Sequence, residues 1–133
     1  MAADIRRLVR EYVQAIGVKR FDRLAELVRP DAIVDGMVGR RLQGKEEFVG
    51  GPRRLAPILL RTAIRRIFVD GDEALVIYDV VTDSPAGAIL STEWLTFEDE
   101  LIRSSVLIYD GRRWPEAMRE LERRAPTAPT AAS

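Results

Sequence analysis

The segment from residue 74 to residue 97 constrains the fold more than any other part of the sequence. It reads ALVIYDVVTDSPAGAILSTEWLTF, two runs rich in β-branched and aromatic residues on either side of a Ser-Pro-Ala-Gly turn. If the two runs pair about Ala86, Asp79 lies directly opposite Glu93, and directly opposed residues point to the same face of a sheet. The segment therefore predicts a hairpin that carries two carboxylates on one face.

The predicted carboxylate pair shares its face with apolar side chains, which favours a position inside a pocket. Burial and like charge both raise a carboxyl pKa, so one acid would stay protonated near neutral pH while the other serves as a base. An alternative remains open, because a register shifted by one residue would turn both acids to the outer face, where arginines would pair with them. The apolar residues expected on the inward face are Leu75, Ile77, Val81, Leu95 and Phe97.

Composition limits the chemistry that the chain can perform. Its 133 residues include no cysteine and no histidine, which excludes disulfides, thiolate nucleophiles, serine–histidine–aspartate triads and histidine metal sites. The sequence also contains no Asp-rich loop of the kind that forms a carboxylate metal site, so we expect no metal and no other cofactor. Acid–base catalysis would then depend on Asp, Glu, Tyr, Lys or Arg.

The charge balance gives no indication of a nucleic-acid or membrane partner. The sequence holds 21 basic and 21 acidic residues, whereas nucleic acids and anionic membranes need a basic excess on one surface. The N-terminal sequence is charged and unlike a signal peptide, and no apolar run is long enough to span a membrane. We expect one cytoplasmic domain over residues 1–124 and a disordered Pro/Ala/Thr tail over residues 125–133.

Hydrophobic periodicity predicts an α+β domain. Helices are expected over residues 5–16, 21–28 and 115–123, and strands over residues 32–38, 62–69 and 101–109 in addition to the hairpin. A further helix should begin near Lys45 and break at Gly50-Gly51-Pro52, with another piece over residues 54–60. Helices at the start of the chain would cover one face of a curved, mostly antiparallel sheet and enclose an apolar cone.

This order of elements and four short motifs resemble the NTF2-like superfamily, and in particular its SnoaL-like members. The motifs are PDAIVDG, LQGKEEF, VDGDEALV and YDGRRW, and the resemblance extends over about residues 4–118. It implies a cone-shaped pocket for a small apolar molecule. The superfamily includes ketosteroid isomerases, limonene-epoxide hydrolases, polyketide cyclases and binding modules without catalytic activity. Its outer sheet face often forms a homodimer interface, which the outward Trp94 would join.

The resemblance to ketosteroid isomerase assigns two functional positions. Tyr12 falls at the oxyanion-hole tyrosine and Glu93 at the protonated acid of that branch, while Gly36 takes the place of the general base and Asp35 lies beside it. Asp35 would act as a base at the pocket mouth if Gly36 permits a bulge. A turn aspartate exposed to solvent is the alternative.

The resemblance to limonene-epoxide hydrolase assigns the other acid of the hairpin. DVVTDSPAG matches a strand and turn of that branch, and Asp79 falls at one aspartate of its water-activating Asp-Arg-Asp set. Ile77 stands at the arginine of the set and Leu107 at its second aspartate. Each branch therefore matches one acid of the predicted pair.

The inward face of the sheet is expected to supply the substrate contacts. These side chains alternate with outward ones along their strands, and they are Ile77, Ser91, Leu95, Ser105, Leu107 and Tyr109.

The preferred hypothesis is a cofactor-free acid–base enzyme that acts on a small apolar molecule by isomerisation, cyclisation or epoxide opening. Asp79 would be the base, Glu93 the acid, and Tyr12 a further donor to developing negative charge. Two other classes remain open: a ligand-binding module without catalysis, and a dimerising module whose cone is filled by its own side chains.

Overall fold

Ten elements make up the part of the chain that the computed structural model describes, which is residues 4–37 and 40–126. In chain order they are α1 (Ile5–Gly17), α2 (Phe21–Glu26), β1 (Val28–Met37), β2 (Arg40–Gln43), α3 (Lys45–Leu55), β3 (Leu59–Asp70), β4 (Glu73–Thr82), β5 (Ala88–Glu98), β6 (Leu101–Tyr109) and α4 (Trp114–Arg124). Among these residues no helix is long and apolar enough to cross a membrane.

The six strands form one curved sheet in the order β2-β1-β6-β5-β4-β3. β1 runs parallel to β6, and every other neighbouring pair is antiparallel. The register shifts within β1, within β3 and between β5 and β6, and such bulges bend a sheet. Helix α1 packs on β3 and β4, and α3 packs on β1 and β2. The predicted α+β fold, a curved sheet covered by helices, is confirmed.

Helix α1 illustrates how the sequence forms one wall of the interior. Asp4 caps the helix by accepting a hydrogen bond from the backbone N–H of Arg7 at 3.1 Å. The apolar positions recur at helical spacing, so one stripe that includes Tyr12 is buried against the sheet. Gly17 ends the helix where a β-carbon would collide with Thr62 of β3. The helix therefore approaches the sheet closely at its C-terminal end.

Several predicted boundaries differ from the structure. Helix α2 ends at Glu26, so the first strand starts at Val28 and not at residue 32, and β2 was not predicted. Helix α3 continues through Gly50, Gly51 and Pro52 to Leu55. Burial of its Phe48, Val49 and Gly51 face stabilises the helix in spite of the hydrogen bond that proline removes. Residues 127–133 of the predicted tail and the predicted strand end at residue 38 lie outside the described residues.

The predicted register of the central hairpin is wrong. Asp79 lies opposite Leu90, and Glu93 lies opposite Val76. The strands separate after Val81 and Ala88, and the connection is closed by a hydrogen bond from the N–H of Thr82 to the carbonyl of Gly87 at 3.0 Å. Because Asp79 meets a residue three positions from Glu93, the two acids point to opposite faces of the sheet.

Candidate functional site

A cavity of about 70 Å³ lies between the concave face of the sheet and helices α1, α3 and α4. Its walls are mainly apolar, and its polar atoms gather around one carboxyl group, that of Glu93. Among the lining residues in the described part of the chain, this is the one carboxyl group, and none of them is basic. The lining residues are Tyr12, Ile16, Val34, Leu42, Phe48, Gly51, Pro52, Leu55, Tyr78, Val80, Ile89, Ser91, Glu93, Leu107, Tyr109 and Trp114.

Glu93 lies on β5 with 3% of its surface exposed and forms hydrogen bonds to three hydroxyl groups. Oε1 accepts a hydrogen bond from the Tyr78 hydroxyl at 2.5 Å. Oε2 accepts hydrogen bonds from Tyr12 at 2.9 Å and from Ser105 at 2.7 Å. No arginine or lysine within residues 4–37 and 40–126 forms an ion pair with it.

Three elements besides β5 bring these hydroxyl groups to the carboxyl group. Tyr12 comes from the buried stripe of α1, Tyr78 from β4 and Ser105 from β6. Tyr78 lies opposite Ser91, and Ser105 lies opposite Leu95. Each of these positions is two residues along β5 from Glu93, so all of them point to the concave face.

Burial controls the ionisation of this hydroxyl–carboxyl cluster of Tyr12, Tyr78, Glu93 and Ser105. It raises the pKa of Glu93 above its usual value, and the hydrogen bonds from Tyr78, Ser105 and Tyr12 partly offset that rise. Burial, together with the nearby Glu93 charge, raises the pKa values of both tyrosines well above that of a free phenol. Glu93 is therefore the member of the cluster that titrates, and the tyrosines stay neutral.

The number of hydrogens in the cluster decides what it offers to a ligand. When Glu93 is ionised, its oxygens accept the hydroxyl hydrogens of Tyr12, Tyr78 and Ser105, and none is left to donate. When Glu93 is protonated, the cluster holds one hydrogen more than its internal contacts need. Because Tyr12 and Tyr78 line the cavity, that extra hydrogen is available to an acceptor atom in the pocket.

Seven of the predicted site residues lie in or directly under the cavity wall. Five line the cavity, and Ser105 supports Glu93 from below. Leu95 is fully buried beyond the wall and does not line the cavity. The five lining residues are Tyr12, Ser91, Glu93, Leu107 and Tyr109.

The other three predicted site residues lie on the outer face, so their predicted positions are wrong. Asp79 accepts two hydrogen bonds from Arg65 at 2.9 and 3.1 Å. The observed register turns the side chains of both Asp79 and Ile77 to the outer face, opposite to the prediction. Asp35 pairs with Arg41 at 3.0 and 3.3 Å. Arg41 lowers the pKa of Asp35 below its usual value. A bulge is present at Gly36, with φ at +109°, but Asp35 lies on the outer face all the same.

The described residues hold no group of three or more acidic side chains that is arranged to bind a metal ion. The single carboxyl group of the cavity is surrounded by hydroxyl groups, which are donors to a carboxylate and weak metal ligands. The arrangement suits proton transfer and the binding of a small molecule that complements one carboxyl group.

Comparison with known proteins places this geometry in a family. The family model of the SnoaL-like domain matches residues 9–105. The chain belongs to the SnoaL-like domain family. The SnoaL-like relationship predicted from the motifs is thereby confirmed, and the predicted NTF2-like fold is confirmed by the likeness to a solved NTF2-like structure. A comparison with curated proteins finds no significant match.

Solved structures resemble this SnoaL-like domain over most of its length. A protein from Kribbella flavida is 24% identical, with a TM-score of 0.76, and the match covers 87% of this chain and 94% of that one. A candidate polyketide cyclase from Sinorhizobium meliloti is 26% identical, with a TM-score of 0.67 and coverage of 76% and 93%. A Catenulispora acidiphila protein with a ketosteroid isomerase-like fold, in complex with trimethylamine, is 20% identical, with a TM-score of 0.66 and coverage of 83% and 88%.

Three aromatic residues of the SnoaL-like pocket were not predicted as site residues, and they are Phe48, Tyr78 and Trp114. Tyr78 lies between Ile77 and Asp79 on β4. Because those two residues were predicted to face the pocket, Tyr78 was expected to face outward. Trp114 packs on Tyr109 at a centroid distance of 5.1 Å at the cavity wall. The strand pattern of β4 contained the signal for Tyr78, because Val76, Tyr78 and Val80 form an equally good apolar face.

Proposed function

We propose that the chain is a cofactor-free acid–base enzyme of the isomerase or cyclase type, acting on a small apolar molecule that carries a carbonyl group. The observation that carries this proposal is the buried Glu93 at the cavity wall with the hydroxyl groups of Tyr12 and Tyr78 on its oxygens. Epoxide opening loses its support, because Asp79, the acid that matched the hydrolase branch, is paired with Arg65 on the outer face.

The first step is the removal of a proton from the carbon beside the substrate carbonyl. Glu93 is the base, because it is the titrating group that lines the cavity. Burial raises the pKa of Glu93, and a base whose pKa lies closer to the operating pH accepts a proton from carbon more readily. The electron pair of the broken C–H bond moves to the carbonyl oxygen and forms an enolate.

The proton that Glu93 accepts also prepares the site for the enolate oxygen. Once the carboxyl group is neutral, the cluster holds one hydrogen more than its internal contacts need, so Tyr12 or Tyr78 can donate to the enolate. Glu93 then returns the proton to a different carbon in an isomerisation. In a cyclisation the enolate carbon attacks a second carbonyl group of the same molecule, and the proton goes to the new alkoxide.

Proton exchange on a small ketone tests this function. With cyclohexanone in deuterated water, we expect the wild type to speed the replacement of the α-hydrogens by deuterium, followed by NMR. Glu93→Gln should reduce the enzymatic rate by about 10²–10⁴-fold, while the matched outer-face variant Asp79→Asn should keep it. Equal rates for wild type and Glu93→Gln would refute the proposed base.

A second candidate function is the binding of a small molecule without conversion. It is favoured by the absence of any second carboxylate or any lysine among the lining residues of the described chain, since many acid–base enzymes use two groups. The complex of the Catenulispora acidiphila protein with trimethylamine supports it further, because a protein of this fold holds a very small organic molecule. Saturable ligand binding without any exchange of ketone hydrogens would favour this candidate.

A further inference from the structure

We propose that the pocket binds a small tertiary or quaternary alkylammonium group, with the Glu93 carboxylate as its counter-charge and aromatic rings as its walls. The inference rests on the proposed function only in taking the cavity as the ligand site, and it does not depend on catalysis. It is argued from the charge, the rings and the hydrogen-bond capacity of the lining residues.

The charge of the pocket is uncompensated within the described chain. The other acidic groups that the structure pairs, such as Asp35, Asp79 and Glu120, each have an arginine partner near the surface. Glu93 is buried with hydroxyl partners alone, and none of the lining residues is basic. A buried carboxylate without a cation is costly, so a cationic ligand would restore a balance that the protein itself does not provide.

Aromatic rings are concentrated at the cavity. Five of the nine aromatic residues in the sequence line it, including all three tyrosines. The faces of such rings attract cations, and ring cages are a common way to hold alkylated ammonium groups. The rings at the wall are those of Tyr12, Phe48, Tyr78, Tyr109 and Trp114.

The register of three neighbouring strands leaves room between two of these rings. Tyr78 on β4, Ser91 on β5 and Tyr109 on β6 are directly opposed, so they form one inward row. The short side chain of Ser91 separates the two tyrosines, and Trp114 packs against Tyr109 at 5.1 Å. Glu93 follows two positions along β5 on the same face. The gap over Ser91 is therefore bounded by rings and has a carboxylate at one end.

Hydrogen-bond capacity distinguishes among ammonium groups. A carboxylate has about four acceptor sites, and the hydroxyl groups of Tyr12, Tyr78 and Ser105 take three of them. A primary ammonium group brings three N–H donors, more than the one remaining acceptor site of Glu93 can take, and each donor left without a partner in a mainly apolar pocket costs free energy. A tertiary ammonium brings a single donor and a quaternary one brings none, so these are the groups that the pocket suits.

A matched pair of ligands tests the inference. Choline and 3,3-dimethylbutan-1-ol have the same shape and differ in the positive charge, so calorimetric titration of both isolates the effect of charge. We expect choline to bind at least about tenfold more tightly to the wild type. Glu93→Gln should remove that preference, and Asp79→Asn should keep it. Equal affinity for the two ligands, or a preference that survives in Glu93→Gln, would overturn the inference.

Two further measurements use the wild type alone and so do not depend on how the variants fold. Choline should bind more tightly than ethanolamine, its primary-ammonium counterpart, and the reverse order would contradict the inference. Choline should also slow the exchange of cyclohexanone hydrogens by competition if the proposed enzyme activity is present. Exchange of the ketone hydrogens without choline binding would refute this inference and leave the proposed function standing. Choline binding without exchange of the ketone hydrogens would support this inference and refute the proposed function.

Discussion

Ionisation of Glu93 is coupled to folding, because burial raises its pKa above the usual 4.5. Below that value the group is protonated in both states, and its contribution to stability is fully present. As pH rises through the raised folded-state pKa, the folded protein holds a proton that the unfolded chain has released, so stability falls. We expect the free energy of unfolding of the wild type to decrease relative to Glu93→Gln over this range, as measured by urea denaturation. If the free energy of unfolding changed with pH in the same way in both proteins, the raised pKa of Glu93 would be contradicted.

The Tyr78 hydroxyl provides the hydrogen bond that lowers the pKa of Glu93 most among the three. Tyr78→Phe should therefore raise that pKa further and move the pH midpoint of ketone exchange upward. It should also reduce stability by about 1–3 kcal/mol, because a buried charge-assisted hydrogen bond is lost. Tyr109→Phe is the control, since its ring lines the same cavity outside the hydroxyl–carboxyl cluster. An unchanged midpoint in Tyr78→Phe would show that its hydroxyl does not tune the base.

At the scale of single elements, the bulge of β1 depends on Gly36. Its φ of +109° is unfavourable for other residues, and a β-carbon there would collide with the carbonyl oxygen of Leu107 on β6. We expect Gly36→Ala to reduce the free energy of unfolding by about 1–3 kcal/mol. Gly71→Ala is the control, because Gly71 also has a positive φ, +62°, but its β-carbon would meet no atom. Both variants introduce a side chain at a positive φ, but only Gly36→Ala adds a steric clash, so thermal unfolding should show the larger loss of stability for Gly36→Ala. An equal loss of stability in the two variants would argue against a tight β1–β6 contact.

The hairpin shows what element patterns predict and where they fail. Two strands and a turn were predicted correctly, and so was the inward position of Glu93. The predicted register was wrong, because the connection contains several turn-forming residues and the sequence does not show which of them lies at the centre of the hairpin. In the structure the centre lies closer to Ser84 than to Ala86. The hydroxyl groups of Thr82 and Ser84 form a hydrogen bond of 2.7 Å within this connection. Both faces of β4 carry apolar residues, so hydrophobicity alone could not correct the error. Because the predicted register differed from the observed one by three residues, Asp79 was expected in the site where the structure has Tyr78.

At the scale of the whole molecule, the fold was predictable because many weak signals agree on it. The buried stripe of α1, the hairpin turn signals and the order of the elements all indicate a sheet covered by helices. The hydroxyl–carboxyl cluster was only partly predictable, because it joins α1, β4, β5 and β6. Its members meet through strand register and helix placement, and no local pattern encodes either one.

The outer face of the sheet carries a row of exposed apolar side chains. Phe68, Leu75 and Trp94 lie side by side on β3, β4 and β5 and are 48%, 36% and 50% exposed. Asp70 and Glu73 lie towards one end of this face, and Arg61 and Arg66 lie towards the other. A two-fold axis across the strands would stack two copies so that the acidic end of one meets the basic end of the other. This complementarity favours a second copy of the chain as the partner.

We expect the wild type to sediment as a homodimer and Trp94→Arg to sediment as a monomer, because the substitution places a charge in the apolar row. Val18→Arg is the matched control. Val18 is 66% exposed at the end of α1, away from the sheet face, so its charge should leave the dimer intact. A wild type that stays monomeric at high concentration would refute the interface. Dissociation by both variants would show instead that added positive charge, and not the loss of the apolar contact, separates the copies.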